Sequence, residues 1–114
     1  MALRHNLHIN QGETWELTIP LIPEDDPTAD FTSHDAVGQI RADPASTVVL
    51  HEWSAANGNI TLLPQAVVLN VAATTSTAWP WRRGVWDLEL VTPGGGTVRL
   101  AAGWVFVTPE ITRS

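Results

Sequence analysis

The sequence predicts a small all-β protein, either a sandwich or a barrel of short antiparallel strands. Near the end of the chain, two alternating segments, 85–91 and 97–107, flank the turn sequence Thr-Pro-Gly-Gly-Gly at 92–96, a pattern typical of a β-hairpin. Alternating segments separated by turn residues recur along the whole chain, and about eight short strands spaced in this way indicate a sandwich or a barrel. The sequence contains no stretch of about 10 or more residues with the periodicity of an amphipathic helix, which disfavours the α/β classes.

The first half of the chain predicts four strands and one irregular stretch. Alternation over 3–10 places Leu3, His5, Leu7 and Ile9 on one face of the first strand. A turn at Asn10-Gln11-Gly12 precedes the second strand, which ends near Pro20 and is therefore an edge strand or stops there. The acidic, proline-interrupted stretch 22–34 predicts a surface loop held to the core by Phe31. The predicted strands are 3–10, 14–21, 36–41 and 48–53.

The second half predicts short strands at 60–63 and 66–71, then one turn of helix or an irregular corner at 72–78. In the hairpin, alternation places Trp86, Leu88 and Leu90 on the core side and Asp87 and Glu89 in solvent. It also predicts that Val98 and Leu100 are inside and that Gly103 shifts the register before Trp104. Proline ends the last strand, which leaves 108–114 as a short C-terminal tail.

Length and composition limit the class of protein. A chain of 114 residues is a single domain, 1–114. There is no cysteine, which excludes disulfides and thiolate metal sites. The net charge of −6 argues against a sequence-independent nucleic-acid binder. No apolar run reaches the roughly 18 residues of a membrane span, and the first residues lack the apolar core of a signal peptide, so we expect synthesis in the cytoplasm and no membrane partner.

The polar residues do not form a recognisable catalytic or metal-binding set. Ser33-His34-Asp35 is contiguous, and adjacent residues rarely converge as a catalytic triad requires. Asp87 and Glu89 share one face of a strand, about 7 Å apart by strand rise, a spacing that glycosidase carboxylates also show; a solvated strand face is the simpler interpretation. The acidic run at 24–26 matches no calcium-loop spacing. We therefore expect no enzyme, no cofactor and no metal.

Two segments are candidates for a partner interface. The first is the sequence Trp-Pro-Trp-Arg-Arg at 79–83, because exposed Trp and Arg are enriched in interface hot spots; the alternative is that the two tryptophans close one end of the core. The second is the tail, which is extended by proline and could add to a neighbouring sheet. The candidate residues are Trp79, Trp81, Arg82, Arg83, Pro109, Ile111 and Arg113.

A series of short motifs follows a set order along nearly the whole chain. They are a Gln-Gly-Glu-Thr turn, Ala-x-x-Gln-Ile-Arg with Gly38 where a larger apolar residue is expected, Asn-Gly-x-Ile-x-Leu, and Trp-Asp-Leu-Glu-Leu with Trp86 in place of Tyr. A Pro-x-Gly turn, a Val-Arg-Leu segment, a Gly-x-Val-x-Val strand and a closing Pro-Glu-Ile-Thr-Arg complete the series. The motifs occupy 11–14, 36–41, 57–62, 86–90, 93–95, 98–100, 103–107 and 109–113.

In this order and spacing the chain resembles a family of small virion proteins of tailed bacteriophages. The resemblance implies a single antiparallel, immunoglobulin-like β-sandwich of about seven to nine short strands, with no long helix. It implies a structural role in the virion, first as a minor capsid or decoration protein on the head lattice and otherwise as a tail or baseplate component. The partners would be the major capsid protein or tail proteins, with self-association in a symmetric assembly. A carbohydrate-binding module, with Trp79 and Trp81 as stacking platforms, is the alternative from another class.

Overall fold

The computed structural model describes residues 3–21 and 30–111, and these form two β-sheets packed face to face. The predicted β-sandwich is therefore confirmed, and the short helix falls where one turn was expected. The strands are β1 (Leu3–Arg4), β2 (Leu7–Asn10), β3 (Trp15–Pro20), β4 (Asp35–Arg41), β5 (Val49–Ser54), β6 (Ile60–Leu63), β7 (Ala66–Val71), β8 (Arg83–Val91) and β9 (Thr97–Thr108), and the helix is α1 (Ala73–Thr77).

The two sheets differ in size. The larger sheet has six strands in the order β1-β9-β8-β4-β5, with β2 also paired to β9, and the smaller has three strands in the order β3-β7-β6. β3 is an edge strand and ends at Pro20, as its proline predicts. β1 and β2 run parallel to β9, an exception to the expected antiparallel pattern, whereas the other described pairs are antiparallel.

The core lies between the sheets and contains the inward residues of both. Every second residue of β4, β7 and β8 is buried, which is the period-2 pattern read from the sequence. Phe31 packs against this core, and its N–H donates to the Pro64 carbonyl at 2.9 Å. Residues 22–29 of the predicted acidic loop lie outside the described residues.

Tryptophan side chains form the centre of the core. The ring of Trp53 is fully buried (0 % exposed) and lies 6.0 Å from the ring of Trp15 and 6.1 Å from that of Trp86. The indole N–H of Trp53 donates to the Asn70 carbonyl of the smaller sheet at 3.2 Å. A buried indole thus gains a partner for its N–H and links the two layers.

Gly38 shows how the core accommodates so large a ring. It pairs directly with Trp53 across β4 and β5, so the two residues face the same side of the sheet. A Cβ at Gly38 would lie 3.0 Å from the Trp53 ring and 3.1 Å from the Asp87 carbonyl oxygen. The glycine that departs from the resembled motif is therefore matched by a tryptophan that occupies the space above it.

The N-terminal strand is held against β8 and β9 by a contact of Trp86, Gly103 and His5, which we call the clasp. Trp86 pairs with Gly103, and its indole N–H reaches past this glycine to donate to the carbonyl of His5 at 2.8 Å. A Cβ at Gly103 would collide with that carbonyl. The next N–H along β9, that of Trp104, donates to the Asn6 side-chain oxygen at 3.0 Å. These two contacts replace ladder hydrogen bonds, which explains why the predicted strand 3–10 is divided into β1 and β2.

The hairpin register differs from the simple alternation at one point. The pairing of β8 with β9 shifts between Leu88 and Glu89, so that Leu100 is an extra residue, a β-bulge. Leu100 packs against the core as predicted, but Val98 is half-exposed (50 %), so its predicted burial is wrong. The shift occurs at Leu100 and not at Gly103, where the sequence pattern had suggested it.

Replacing Gly103 by alanine tests the clasp. A methyl group there must displace the His5 carbonyl and break its bond to Trp86, so we expect Gly103→Ala to lower the free energy of unfolding by about 1–3 kcal/mol or more. The measurement is the urea midpoint followed by Trp fluorescence. Gly94→Ala is the matched control, because a Cβ at Gly94 meets nothing within 4 Å, and we expect a change within about 0.5 kcal/mol. Equal midpoints for the two variants would contradict the clasp.

Candidate functional site

The two tryptophans of the Trp-Pro-Trp-Arg-Arg segment close one end of the sandwich. Trp79 is buried (7 % exposed), and the ring of Trp81 stacks on it with centroids 4.6 Å apart. The Trp79 carbonyl accepts hydrogen bonds from the Gln11 side-chain amide at 3.1 Å and the Arg82 guanidinium at 3.2 Å. The ring of Trp79 is therefore part of the core and offers no platform to a partner or a sugar, while half-buried Trp81 covers it.

The two arginines of this segment are exposed and make different contacts. Arg82 Nη1 donates to the carbonyls of Trp79 and Trp81, and so stabilises the connection that precedes β8. Arg83 begins β8, and its guanidinium carbon lies 5.6 Å from the ring centroid of Trp104, within cation–π range. Of the two, Arg83 belongs to the outer face of the larger sheet.

The start of the C-terminal tail is tied to the sandwich through Gln11. The Gln11 side-chain oxygen accepts the Glu110 N–H at 3.0 Å, and its amide donates to the carbonyls of Thr77 and Trp79, each at 3.1 Å. Pro109 is exposed, and Ile111 is 92 % exposed. Arg113, the last candidate residue, lies outside the described residues.

The neighbouring turn explains why Gly12 is required. Its φ is +84°, and its N–H donates to the Oγ of buried Ser76 at 2.9 Å. A Cβ at Gly12 would collide with the Glu110 carboxylate. The Gln-Gly turn that opens the motif series is thus the contact point of the first turn, the helix and the C-terminal segment.

The outer face of the larger sheet carries a groove that the sequence had not indicated. Its volume is about 570 Å³. The strand register sets Arg4, Ala102 and Asp87 in one row across the sheet, and Trp104 and Val85 in the next. The small side chains in the middle of the rows leave a hollow between larger neighbours. The lining residues are Arg4, Gln39, Arg41, Pro44, Val85, Trp86, Asp87, Glu89, Arg99, Ala102, Gly103 and Trp104.

The charged groups of the groove are held in different ways. Arg41 is fixed, since its guanidinium donates to the Ser46 carbonyl at 2.7 Å and to the Gln39 side-chain oxygen at 2.9 Å. Arg99 lies 3.5 Å from the Asp87 carboxylate in a solvent-exposed pair. Arg4 has neither a hydrogen bond nor a salt bridge to any residue in the described ranges.

Trp104 is the exposed aromatic side chain of this groove (43 % exposed). The sequence predicted only that Asp87 and Glu89 lie on an outer face, and it did not single out Trp104. Its position depends on the bulge at Leu100 and on which strands flank β9, neither of which is visible in local alternation. The signal that could have found it was a tryptophan on the polar side of a hairpin strand, opposite outward residues of β8.

His51 is the titratable group whose environment is most unusual. Its ring contacts those of Trp53 and Trp79, with centroids 5.0 and 5.2 Å away, and its Nε2 is buried without a hydrogen-bond partner. Burial lowers the pKa of the His51 imidazole below its ordinary value, and the nearby Glu52 carboxylate opposes this in part. The side chain acts as a neutral member of the aromatic core.

The described residues offer no other cluster with evident chemistry. Ser33 and Asp35 are exposed, and the His34 ring packs edge-on against Phe31 at 5.1 Å. Within residues 3–21 and 30–111, no three His, Asp or Glu side chains gather as a metal site requires. No helix in these ranges is long and apolar enough to cross a membrane.

The fold and the groove define a small β-sandwich protein with an open, aromatic and arginine-bearing sheet face. No family model and no curated protein matches the chain. Among solved structures, it is similar to "Drosophila OTK, extracellular domains 3-5", with 15 % identity and a TM-score of 0.42 over 92 % of this chain. The match covers 32 % of that structure, so this chain spans about a third of it. A likeness at this level carries no statement about function.

The half-buried imidazole of His51 predicts a pH dependence of stability. The unfolded chain binds a proton at the ordinary histidine pKa of about 6.5, whereas the folded chain resists protonation, so the free energy of unfolding is highest above that pH and falls as pH drops toward the lower folded pKa. We expect His51→Phe to flatten this part of the profile, measured by urea unfolding between about pH 7.5 and 5. His5→Phe, at an exposed position, is the control. An unchanged slope in His51→Phe would contradict the assignment.

Proposed function

We propose that this chain is a structural protein of a tailed-bacteriophage virion, made in the bacterial host cytoplasm. It acts as a minor capsid or decoration protein that binds the head lattice and stabilises it through protein–protein contacts. A tail or baseplate position is the alternative location. The phage assignment is supported by the motif series along the chain, and the β-sandwich agrees with the fold that this series implies.

The observation that carries a binding role is the outer face of the six-stranded sheet. Half-exposed Trp104 lies there beside Arg83, and Arg4 has no partner among the described residues. Exposed tryptophan and arginine are the residue types that dominate interface energies. A β-sheet face is also rigid, so little conformational entropy is lost on docking. A contact of about 800 Å² per partner, repeated over a lattice, suffices for stable attachment.

The structure changes which residues a carbohydrate-binding module, the alternative function from another class, would have to use. Trp79 is buried, so the stacking platform first considered does not exist in that form. A saccharide would instead have to use Trp104. Loss of glycan binding on Trp104→Ala, with Trp81→Ala unaffected, would favour that function over the structural one.

Purified particles from the source lysate test the proposal directly. We expect quantitative mass spectrometry to find the chain in the particles, and cryo-electron microscopy to show its density repeated over the head surface. Density confined to the tail would move the assignment to a tail or baseplate component. Absence from washed particles, with the protein abundant in the lysate, would overturn the virion role.

Deleting residues 109–114 tests the tail as a second contact. Pro109 and Ile111 are exposed on either side of Glu110, whose N–H is held by Gln11, and they present a surface that a neighbouring strand could line. We therefore expect the truncated protein to be depleted from particles when expressed beside the intact one. A second truncation, of residues 112–114 alone, separates the part played by Pro109 and Ile111 from that of the last residues. Equal incorporation of the intact and both truncated forms would remove the tail from the proposal.

A further inference from the structure

The charge of the groove is opposite to that of the chain. Arg4, Arg41 and Arg99 line it together with the two carboxylates of Asp87 and Glu89, and Arg83 lies beside it against Trp104. The groove is therefore net positive in a chain whose net charge is −6. Because the Arg99 guanidinium is already near Asp87, the arginines for a ligand are Arg4 at one end and Arg41 at the other. Arg41 is held by Ser46 and Gln39, but these bonds use two of its five N–H donors and leave the others for a ligand.

The spacing of these arginines suits an extended chain. Arg4 is on β1 and Arg41 on β4, with β9 and β8 between them, and Arg41 lies one row further along the sheet, beside Val85. Three strand spacings across and two residues along place their backbones about 16 Å apart. An extended peptide spans about 14 Å from residue i to residue i+4 and places residues i, i+2 and i+4 on one face, and the long arginine side chains cover the remaining distance. Acidic side chains at i and i+4 would thus reach the two guanidinium groups together.

The middle of the groove is apolar apart from Asp87, which lies beside Ala102 with its carboxylate 3.5 Å from the Arg99 guanidinium. Between the two arginines lie Val85, Ala102 and the half-exposed ring of Trp104. Residue i+2 of the same extended peptide would sit over this surface. An apolar side chain there removes the Trp104 ring from water, which adds to the charge-assisted hydrogen bonds at the two ends.

We propose that this groove binds an extended acidic segment of a partner protein, with the pattern acidic-x-apolar-x-acidic. The inference rests on the proposed function, because it names the surface and the chemistry through which the chain attaches to its partner. A second copy of the chain is not the proposed occupant, since two molecules of net charge −6 repel each other at low salt. A protein segment is preferred to a neutral saccharide because guanidinium groups match carboxylates in shape and charge.

Nuclear magnetic resonance on the intact, ¹⁵N-labelled protein tests the site with defined probes. The first probe is the peptide Ser-Glu-Thr-Leu-Thr-Glu-Ser with blocked termini, and the second carries Gln in place of both Glu residues. We expect the acidic peptide to shift the Trp104 indole resonance and the amides of β8 and β9, and to leave the indole of Trp53 unchanged. The shifts should weaken as salt is raised, and the Gln peptide should bind about tenfold more weakly or not at all.

Two variants and a matched control locate the binding. Arg4→Glu and Trp104→Ala should each weaken binding of the acidic peptide by about tenfold or more. The control is the double variant Thr18→Glu/Thr61→Glu, which changes the net charge by the same amount on the exposed face of the smaller sheet. It should bind as the wild type does. The indole resonance of Trp86, bonded to His5, reports whether each variant is folded.

Several outcomes would overturn the proposal. These are equal binding of the acidic and Gln peptides, equal loss in the control and groove variants, or shifts confined to another surface. A glycan that binds at Trp104 with no response to the peptide would reassign the groove to saccharides. Self-association of the wild type that Arg4→Glu abolishes, measured by light scattering, would reassign it to a second copy.

Incorporation of the wild type and the variants into purified particles distinguishes failure of this inference from failure of the proposed function on which it rests. If the wild type is present in virions and Arg4→Glu and Trp104→Ala are depleted relative to the Thr18/Thr61 control, both are supported. If the wild type and all variants are equally present, the virion role stands and the groove inference fails. If the wild type is absent, the proposed function fails, while the peptide titration still decides whether the groove binds an acidic segment.

Discussion

The hydrogen bond from the Trp86 indole to the His5 carbonyl, made across Gly103, is the contact on which the arrangement of the larger sheet depends. It joins β8 to the N-terminal strand over the top of β9, so three strands are fixed by one side chain. The absence of a side chain at Gly103 is what allows the carbonyl to approach. In the same place the Asn6 side chain accepts the Trp104 N–H, so backbone polar groups that make no ladder hydrogen bond have partners.

That clasp also sets the outer surface. Because β1 lies beside β9, Arg4 is aligned with Ala102 and Asp87. The pairing of β8 with β9 aligns Trp104 with Val85. The smaller sheet covers only the opposite face of the larger one, and the outer face is left open with its aromatic and charged side chains. The groove is therefore a consequence of strand order and of the unequal size of the two sheets, since its residues come from four different strands and from the turn after β4.

The tryptophans divide between the two roles that their chemistry allows. Trp53, Trp79 and Trp86 are buried and each makes a hydrogen bond through an indole or a carbonyl group at the rim of the core. Trp104 keeps its ring half in solvent beside a guanidinium group. The neutral imidazole of His51 fills the space between two of the buried rings. The same residue type therefore lies both in the core and on the outer face, and its depth in the sandwich distinguishes the two settings.

The sequence by itself determined the class of fold and most of the strands. Alternation identified β4, β7 and β8 and their inward residues, because the period of a half-buried strand depends on local chemistry alone, and the sequence also predicted β6 as a short strand. Tertiary structure decided the parallel pairing of β1 and β2 with β9, the bulge at Leu100 and the burial of Trp79. Each depends on contacts between residues far apart in the chain, such as Trp86 with His5. The groove followed from these non-local contacts, which is why its residues could not be grouped from the sequence.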